Sequence, residues 1–262
     1  MRFSRPLLLV AVAIFLPLSA FADATATVRE NAIALYREKK NDDARAAFER
    51  LIAEEPDDAE AFYFLGRIAL RENQLEESAR FHQQALALSP NNLRYLLDYA
   101  EVCGKRASSA PLFSKLGWAR KCLHALERAV ALAPHDFEAN DSLVQFYRQA
   151  PPIAGGGWDK AYAHAEKFRL TDPIGGTRIL ADLYKRQQRP ADALRVLFAA
   201  LEQHPRDFTL LELTGTLALT SSLETDCAIT ALTQGIDPAA TDSQTARIKN
   251  LLAQLTAIRE KP

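Results

Sequence analysis

The residues with the most obvious chemical potential are five histidines: His82, His124, His135, His164 and His204. They lie far apart in the chain, and no HExxH or His/Cys pairing sets two of them at metal-ligand spacing. His82 falls inside a run of helical periodicity, where an imidazole reads as a partly buried structural side chain. Gly155-Gly156-Gly157 invites comparison with a phosphate cradle. No Lys-Ser/Thr follows it and no strand precedes it, so neither cation nor strand-to-helix turn is in place. It reads instead as part of a loop, residues 151–158. Three cysteines in 262 residues are too few for a disulfide scaffold. Cys103 and Cys122 could pair, which would leave Cys227 odd, or all three could be small buried residues. The expectation is therefore no catalytic residue, no metal site, no cofactor and no enzyme.

Composition points the same way. Lys+Arg is 32 and Asp+Glu is 33, a net charge of -1, which offers nucleic acid no electrostatic footprint. With 48% hydrophobic and 25% charged residues the chain is of the folded, globular class. Ten glycines and 13 prolines exclude a collagen-like chain.

The first 22 residues have the form of an export leader. Arg2 and Arg5 make a basic start, residues 7–18 carry no charge, and Ala20-Phe21-Ala22 places small residues where a signal peptidase reads. The apolar run is short for a bilayer span, Pro17 interrupts it and Asp23 follows at once, so no membrane anchor is expected after cleavage. Cleavage near Ala22 removes two arginines and shifts the net charge from -1 to -3. The expected location is the periplasm, or the exterior.

The elements that position these residues repeat. Prolines stand at Pro56, Pro90, Pro134, Pro173, Pro205 and Pro238, at intervals of 34, 44, 39, 32 and 33. Each closes a helical pattern, because proline cannot continue a helix. Each period holds two amphipathic stretches, clearest in Phe62-x-x-Leu65-Gly66-x-x-Ala69, Ser78-x-x-x-His82-x-x-Ala85 and Pro90. A small residue recurs on the first helix (Ala32, Gly66, Ala100, Ala181, Gly215) and on the second (Ala44, Ser78, Cys122, Ala193, Cys227). Helix axes approach closely only where side chains are small. Val144 breaks the pattern and predicts a looser fourth pair. Residues 243–260 form a last amphipathic stretch with Ile248, Leu251, Leu252, Leu255 and Ile258 on one face.

This pattern resembles the tetratricopeptide repeat (TPR) signature. It departs at Phe62 for Trp, Ala69 for Tyr, Ser78 for Ala and His82 for Phe. The resemblance implies an all-α, right-handed α-solenoid of about six helix-turn-helix repeats. Repeats are expected at 25–58, 59–92, 93–136, 137–173, 174–207 and 208–241, the third and fourth with insertions. The segment 242–262 would then be the capping helix that a solenoid needs over its last open face.

In this family the first helix of each repeat lines a concave face that holds partner segments. That implies Arg29, Tyr36 and Arg37 in repeat one, Tyr63, Arg67 and Arg71 in repeat two, and Arg94 and Lys105 in repeat three. Further along it implies Asp141, Gln145 and Arg148, then Arg178, Asp182 and Lys185. The first half is basic with two tyrosines, which suits an acidic extended peptide through bidentate arginine contacts and the flat apolar area of the tyrosine rings. The motif that clamps a C-terminal carboxylate is not reproduced, because Ile33 and Phe64 replace its asparagines. A second candidate is one edge, where the first insertion, read as a loop over 107–117 that contains Phe113, leads into Trp118 and the second insertion leads into Trp158. Either surface implies a non-catalytic scaffold or adaptor for another envelope protein. The alternative is a structural subunit of an envelope machine for pilus, outer-membrane or secretion-system biogenesis.

Overall fold

The computed structural model describes residues 18–236 and 241–260, with side chains from Thr27 onward except Leu112. Of the expected leader only the backbone of residues 18–22 is described, as the start of a helix, and Pro238 lies outside the described residues. The chain divides into two compact units, Met1–Pro90 and Asn91–Pro262. The first holds α1 (Leu18–Arg37), α2 (Asn41–Glu54), α3 (Ala59–Arg71) and α4 (Leu75–Leu88). The second holds α5 (Leu93–Ser109), α6 (Leu112–Leu132), α7 (Phe137–Gln149), α8 (Trp158–Arg169), α9 (Pro173–Arg186) and α10 (Pro190–Gln203). It continues with α11 (Phe208–Ser221), α12 (Thr225–Gly235) and α13 (Asp242–Arg259), and has one 3-10 turn at Pro152–Ala154. Among the described residues every regular element is helical. The helices associate as consecutive hairpins, and within each unit each hairpin stacks on the next. The fold is the all-α solenoid type of TPR helix pairs.

Local sequence explains where the first helices begin. The side chains of Asp58, Asn92, Asp136, Asp172 and Asp207 accept the backbone N–H three residues on, at 2.8–3.2 Å. Four of these caps stand two residues after a proline, at Pro56, Pro90, Pro134 and Pro205, and the fifth immediately precedes Pro173. Proline stops one helix and the carboxylate or amide starts the next, each cap contributing about 1 kcal/mol.

Within a pair, contact is set by small residues. Ala32, Ala44, Gly66, Ser78, Ala100, Cys122, Ala181 and Ala193 are all buried. The Ser78 hydroxyl donates to the Gly66 carbonyl at 2.7 Å, a bond that only close helices can make. A Cβ at Gly66 would lie 2.7 Å from Nδ1 of His82, whose ring is fully buried above it. His82 is thus a packing side chain, more deeply placed than its polarity implied.

One expectation about packing is corrected. In the sixth pair Cys227 is exposed, and Ala228 is the buried small residue. Gly215 is approached by Leu232 and Leu251 instead. The turn before α12 places Ser222 and Glu224 in the left-handed region, at φ 56° and 51°, and sets that helix one residue out of the expected register. In the fourth pair Val144 is 1% exposed and shares a closed core with Ala161, Ala165 and Phe168.

The insertions also differ from expectation. Most of residues 107–117 is helical: α5 runs through Ser109, α6 starts at Leu112, and Ala110 and Pro111 make the turn. Apart from Pro111 only Gly117 disfavours a helix there, so the extra residues lengthen two helices. Residues 150–157 do form a loop, because Pro151, Pro152 and three glycines exclude a regular helix. Gly155 has φ 96°, and a Cβ at Gly156 would lie only 1.8 Å from the Ala150 carbonyl oxygen. At the end of the chain, Thr241 and Gln244 form a capping box, and α13 packs Ile248 and Leu255 into the core shared with α11 and α12.

Gly66→Ala tests the close approach. Helix propensity alone would favour alanine by about 1 kcal/mol. Crowding His82 is expected to outweigh that at about 1–3 kcal/mol, so the urea midpoint should fall. In the double variant Gly66→Ala/His82→Ala the loss should be smaller than the sum of the two single losses.

Candidate functional site

In the first unit, first helices α1 and α3 are neighbours, and α7 and α9 are neighbours in the second. These adjacent first helices make the face that the TPR resemblance assigns to a partner.

On the face of the first unit, α1 supplies Tyr36 and Arg37 and α3 supplies Tyr63, Arg67 and Arg71. The Arg71 guanidinium lies 3.9 Å from the centre of the Tyr36 ring. Its Nη1 donates to the Tyr36 carbonyl at 2.9 Å and to Asn41 Oδ1 at 3.0 Å. Arg67 lies 5.7 Å from the rings of both tyrosines, and its Nη1 donates to the Tyr63 hydroxyl at 2.9 Å. Both tyrosines are buried, at 8% and 3% exposure. They therefore do not offer a flat surface to a partner, as the sequence had suggested. They hold the arginines by cation–π contact, worth about 0.5–2 kcal/mol each. Those named contacts of Arg71 are all with neutral groups, so its charge remains available to an anion. Arg37 is exposed at the end of α1.

Arg29 has a different role. Its Nη2 meets Glu55 Oε2 at 3.0 Å and Asp58 Oδ2 at 2.9 Å. The hydrogen bond to Asp58 above all, with attraction from Asp58, Glu55 and Glu60, raises its pKa against a smaller opposing effect of burial. Asp58 in turn caps α3, so Arg29 ties α1 to the start of the next pair. A matching link that sequence reading missed is Arg45, paired with Glu72 at 2.7 Å and Glu77 at 3.4 Å. Neither link shows a periodic signal, because each partner stands about 30 residues away. The aspartate and asparagine caps were also missed, although their spacing after proline is visible in the sequence.

The second unit presents a mixed face. Arg94 is exposed in the first turn of α5, and Lys105 lies 3.4 Å from Glu101. On α7 and α9, Asp141 and Arg148 stand near Asp182, Arg178 and Arg186. Burial, with Asp182 nearby, pushes the Asp141 carboxyl above its ordinary range. Burial, with Arg186 nearby, lowers Arg148. Arg148 donates to Gln145 at 2.6 Å, while Lys185 and Arg186 both pair with Asp182.

The two tryptophans of the proposed edge point inward or half inward. Trp118 is buried beneath Arg106 and Lys121, at 5.2 and 4.3 Å from its ring. Trp158 opens α8, is half-buried, and packs against the core near Tyr162. Phe113 alone of the three is open to solvent.

Other chemistry is sparse among the described residues. No group of three or more His, Cys, Asp or Glu side chains is placed to hold a metal. Cys103 and Cys122 are buried and unpaired, and burial pushes their thiols up to about 11 and about 12. Such thiols are poor nucleophiles near neutral pH. An open cleft of about 420 Å³ is lined by Lys39, Lys40, Asn41, Asp42, Asp43 and Glu72. It is a charged notch in the α1–α2 turn, without a buried acid or base. His164 is half-buried with its Nε2 2.9 Å from Asn140 Oδ1. Asn140 is buried and donates to the carbonyls of Pro134 and Asp136, which braces the turn before α7.

Comparison with known proteins follows the same lines. The model of the tetratricopeptide repeat family matches residues 29–92 and 180–226. No curated protein matches the chain. Among solved structures, a tetratricopeptide repeat protein from Parabacteroides merdae ATCC 43184 is similar at 16% identity and TM-score 0.52, over 90% of this chain and 87% of that one. YrrB, described as a TPR protein with an unusual peptide-binding site, is similar at 19% identity and TM-score 0.50, over 78% and 97%. PilW, described as a widely conserved type IV pilus biogenesis factor, is similar at 14% identity and TM-score 0.50, over 90% and 98%. Family match and fold together support a tetratricopeptide-repeat protein, and proteins of that class mediate protein–protein interaction. The fold is in general a non-catalytic scaffold.

Two outcomes follow. Arg29→Ala strands the Asp58 carboxylate and is expected to cost about 1–3 kcal/mol of stability in urea unfolding. His164 is held below its usual pKa, first by burial and then by Lys167. The unfolded chain therefore takes up a proton that the folded chain resists. This contribution is fully present above about pH 6.5 and is lost as pH falls below that value. His164→Gln should flatten the fall in thermal midpoint between about pH 7.5 and 5.5.

Proposed function

We propose that this chain is a non-catalytic interaction scaffold of the cell envelope, whose α1/α3 face in the first unit takes an acidic extended segment of another protein. The observation that carries it is the Tyr36–Arg71 and Tyr63–Arg67 stacking. Two guanidinium groups are fixed in place by rings, and the Tyr36 ring, the Tyr36 carbonyl and Asn41 Oδ1 that hold Arg71 carry no charge. Such preorganisation lowers the ordering cost of binding. Planar guanidinium groups also suit carboxylates better than a flexible ammonium would. Exposed Arg37 extends the same charge along α1. Export is supported by the arrangement of Arg2, Arg5, the uncharged residues 7–18 and Ala20-Phe21-Ala22. A subunit of an envelope assembly machine would use the same surface, in a stable stoichiometric complex rather than in exchange with short segments.

Expression with the leader in a Gram-negative host is expected to give a periplasmic protein whose N-terminal sequence starts at Asp23. The chain from Asp23 is expected to bind a fluorescent glutamate-rich peptide, with affinity falling as salt rises. Arg67→Glu should weaken that binding about tenfold or more, since one charged hydrogen bond is worth about 1.5–3 kcal/mol, and should lower the thermal midpoint only by the loss of its ring contacts, with helical content retained in circular dichroism. Equal binding by the parent and the variant would remove the α1/α3 face as the working surface.

A further inference from the structure

The edge formed by the α5–α6 and α7–α8 turns of the second unit carries exposed apolar side chains that the scaffold does not use. Phe113 is 99% exposed and Ile153 is 76% exposed. Phe113 lies in the first turn of α6 and Ile153 in the 3-10 turn between α7 and α8, and antiparallel packing brings these ends of the two helix pairs to the same edge. The 3-10 turn bearing Ile153 packs on α6, where Gly155 sits against Leu123. Leu123 is ten residues, or about 15 Å, along the helix from Phe113. Pro111, Pro151 and Pro152 are exposed beside them.

The charge of this edge is predominantly positive, with Asp159 in the first turn of α8 as its exposed acid. From residue 102 to 126 there are five Lys or Arg and no Asp or Glu, and from 142 to 158 there is again no acid. Lys115, Arg120 and Lys121 are exposed on α6. Arg106 and Lys121 both lie against the Trp118 ring, which helps fix their position. Phe113, Gly117 and Arg120 fall at helical spacing on the outward side of α6, with Lys121 beside them.

We propose that this edge docks on an anionic lipid surface, with Phe113 and Ile153 entering the interfacial layer and Lys115, Arg120 and Lys121 facing the headgroups. An apolar side chain on a protruding turn, ringed by cations, needs a soft surface rather than a complementary pocket. A lipid interface meets that need, and burial of aromatic and aliphatic side chains adds to the attraction of basic residues for anionic lipid. No described helix is long and apolar enough to cross a membrane, so the contact is peripheral. It is separate from the α1/α3 face and does not depend on it.

The test uses the chain from Asp23, because the leader's own apolar run would bind lipid, with circular dichroism verifying its helical content. Sedimentation with phosphatidylglycerol/phosphatidylcholine vesicles should pull the protein down, with binding weakening between about 50 and 500 mM salt as screening sets in. Vesicles of phosphatidylcholine alone should not. Phe113→Asp/Ile153→Asp and Lys115→Glu/Arg120→Glu should each lower vesicle affinity about tenfold or more, given the contribution of each basic residue near such a surface. These side chains are exposed, so the thermal midpoint should hold. Arg67→Glu should leave vesicle binding unchanged. Absence of binding to the anionic vesicles at low salt, or equal binding by all four proteins, overturns the proposal. So does capture of a polyglutamate peptide by this edge without vesicle binding, which would make it a protein-facing surface.

Discussion

Every other feature depends on how closely two helices of a hairpin can approach. Gly66 over Ser78, with a 2.7 Å hydrogen bond between them, shows the limiting case. Where both helices are small at the crossing, the larger residues around it interlock: Phe64 against both Phe48 and Tyr36, and Phe168 beside Phe137. The crossing fixes the hairpin, and the hairpin fixes which side of its first helix meets the next hairpin. Only then do Tyr36 on α1 and Arg71 on α3 come within 3.9 Å. An arginine-bearing face is thus a consequence of alanines and glycines that bind nothing.

Turn chemistry supplies the second constraint. Proline, then aspartate or asparagine, stops one helix and starts another within a few residues. Asp58 has both duties, capping α3 and receiving Arg29 from α1. The intra-pair turns are more variable. Lys39, Asn73 and Gln188 close three of them in the left-handed region. The third and fourth pairs instead carry longer helices or a proline-glycine loop. Those two departures from regularity are what leave Phe113 and Ile153 outside the core.

Charge is used in two distinct ways. Arg29 and Arg45 are matched by carboxylates and join successive helix pairs of the first unit. Arg67, Arg71, Arg106 and Lys121 rest on aromatic rings, which help hold each cation in place. A net charge of -1 conceals this division, because a sum over the chain does not record where each cation is matched.

The sequence by itself determined the helical class, the hairpin period and the capping helix. Proline spacing and small residues at fixed offsets are local signals, and local signals survive without neighbours. It also located the basic residues of α1 and α3. It misread Cys227 as buried, residues 107–117 as a loop and the tyrosines as a partner-facing surface. Each of those depends on something that spacing does not encode: the register of a helix after a left-handed turn, the choice between loop and helix extension, and which of two stacked groups lies outermost. The assignment of Arg29 to a structural ion pair, and of Arg71 to a ring, was decided only by tertiary structure. An arginine is long enough to reach either an acid or an aromatic ring, and which one it meets depends on the side chains that packing sets within its reach.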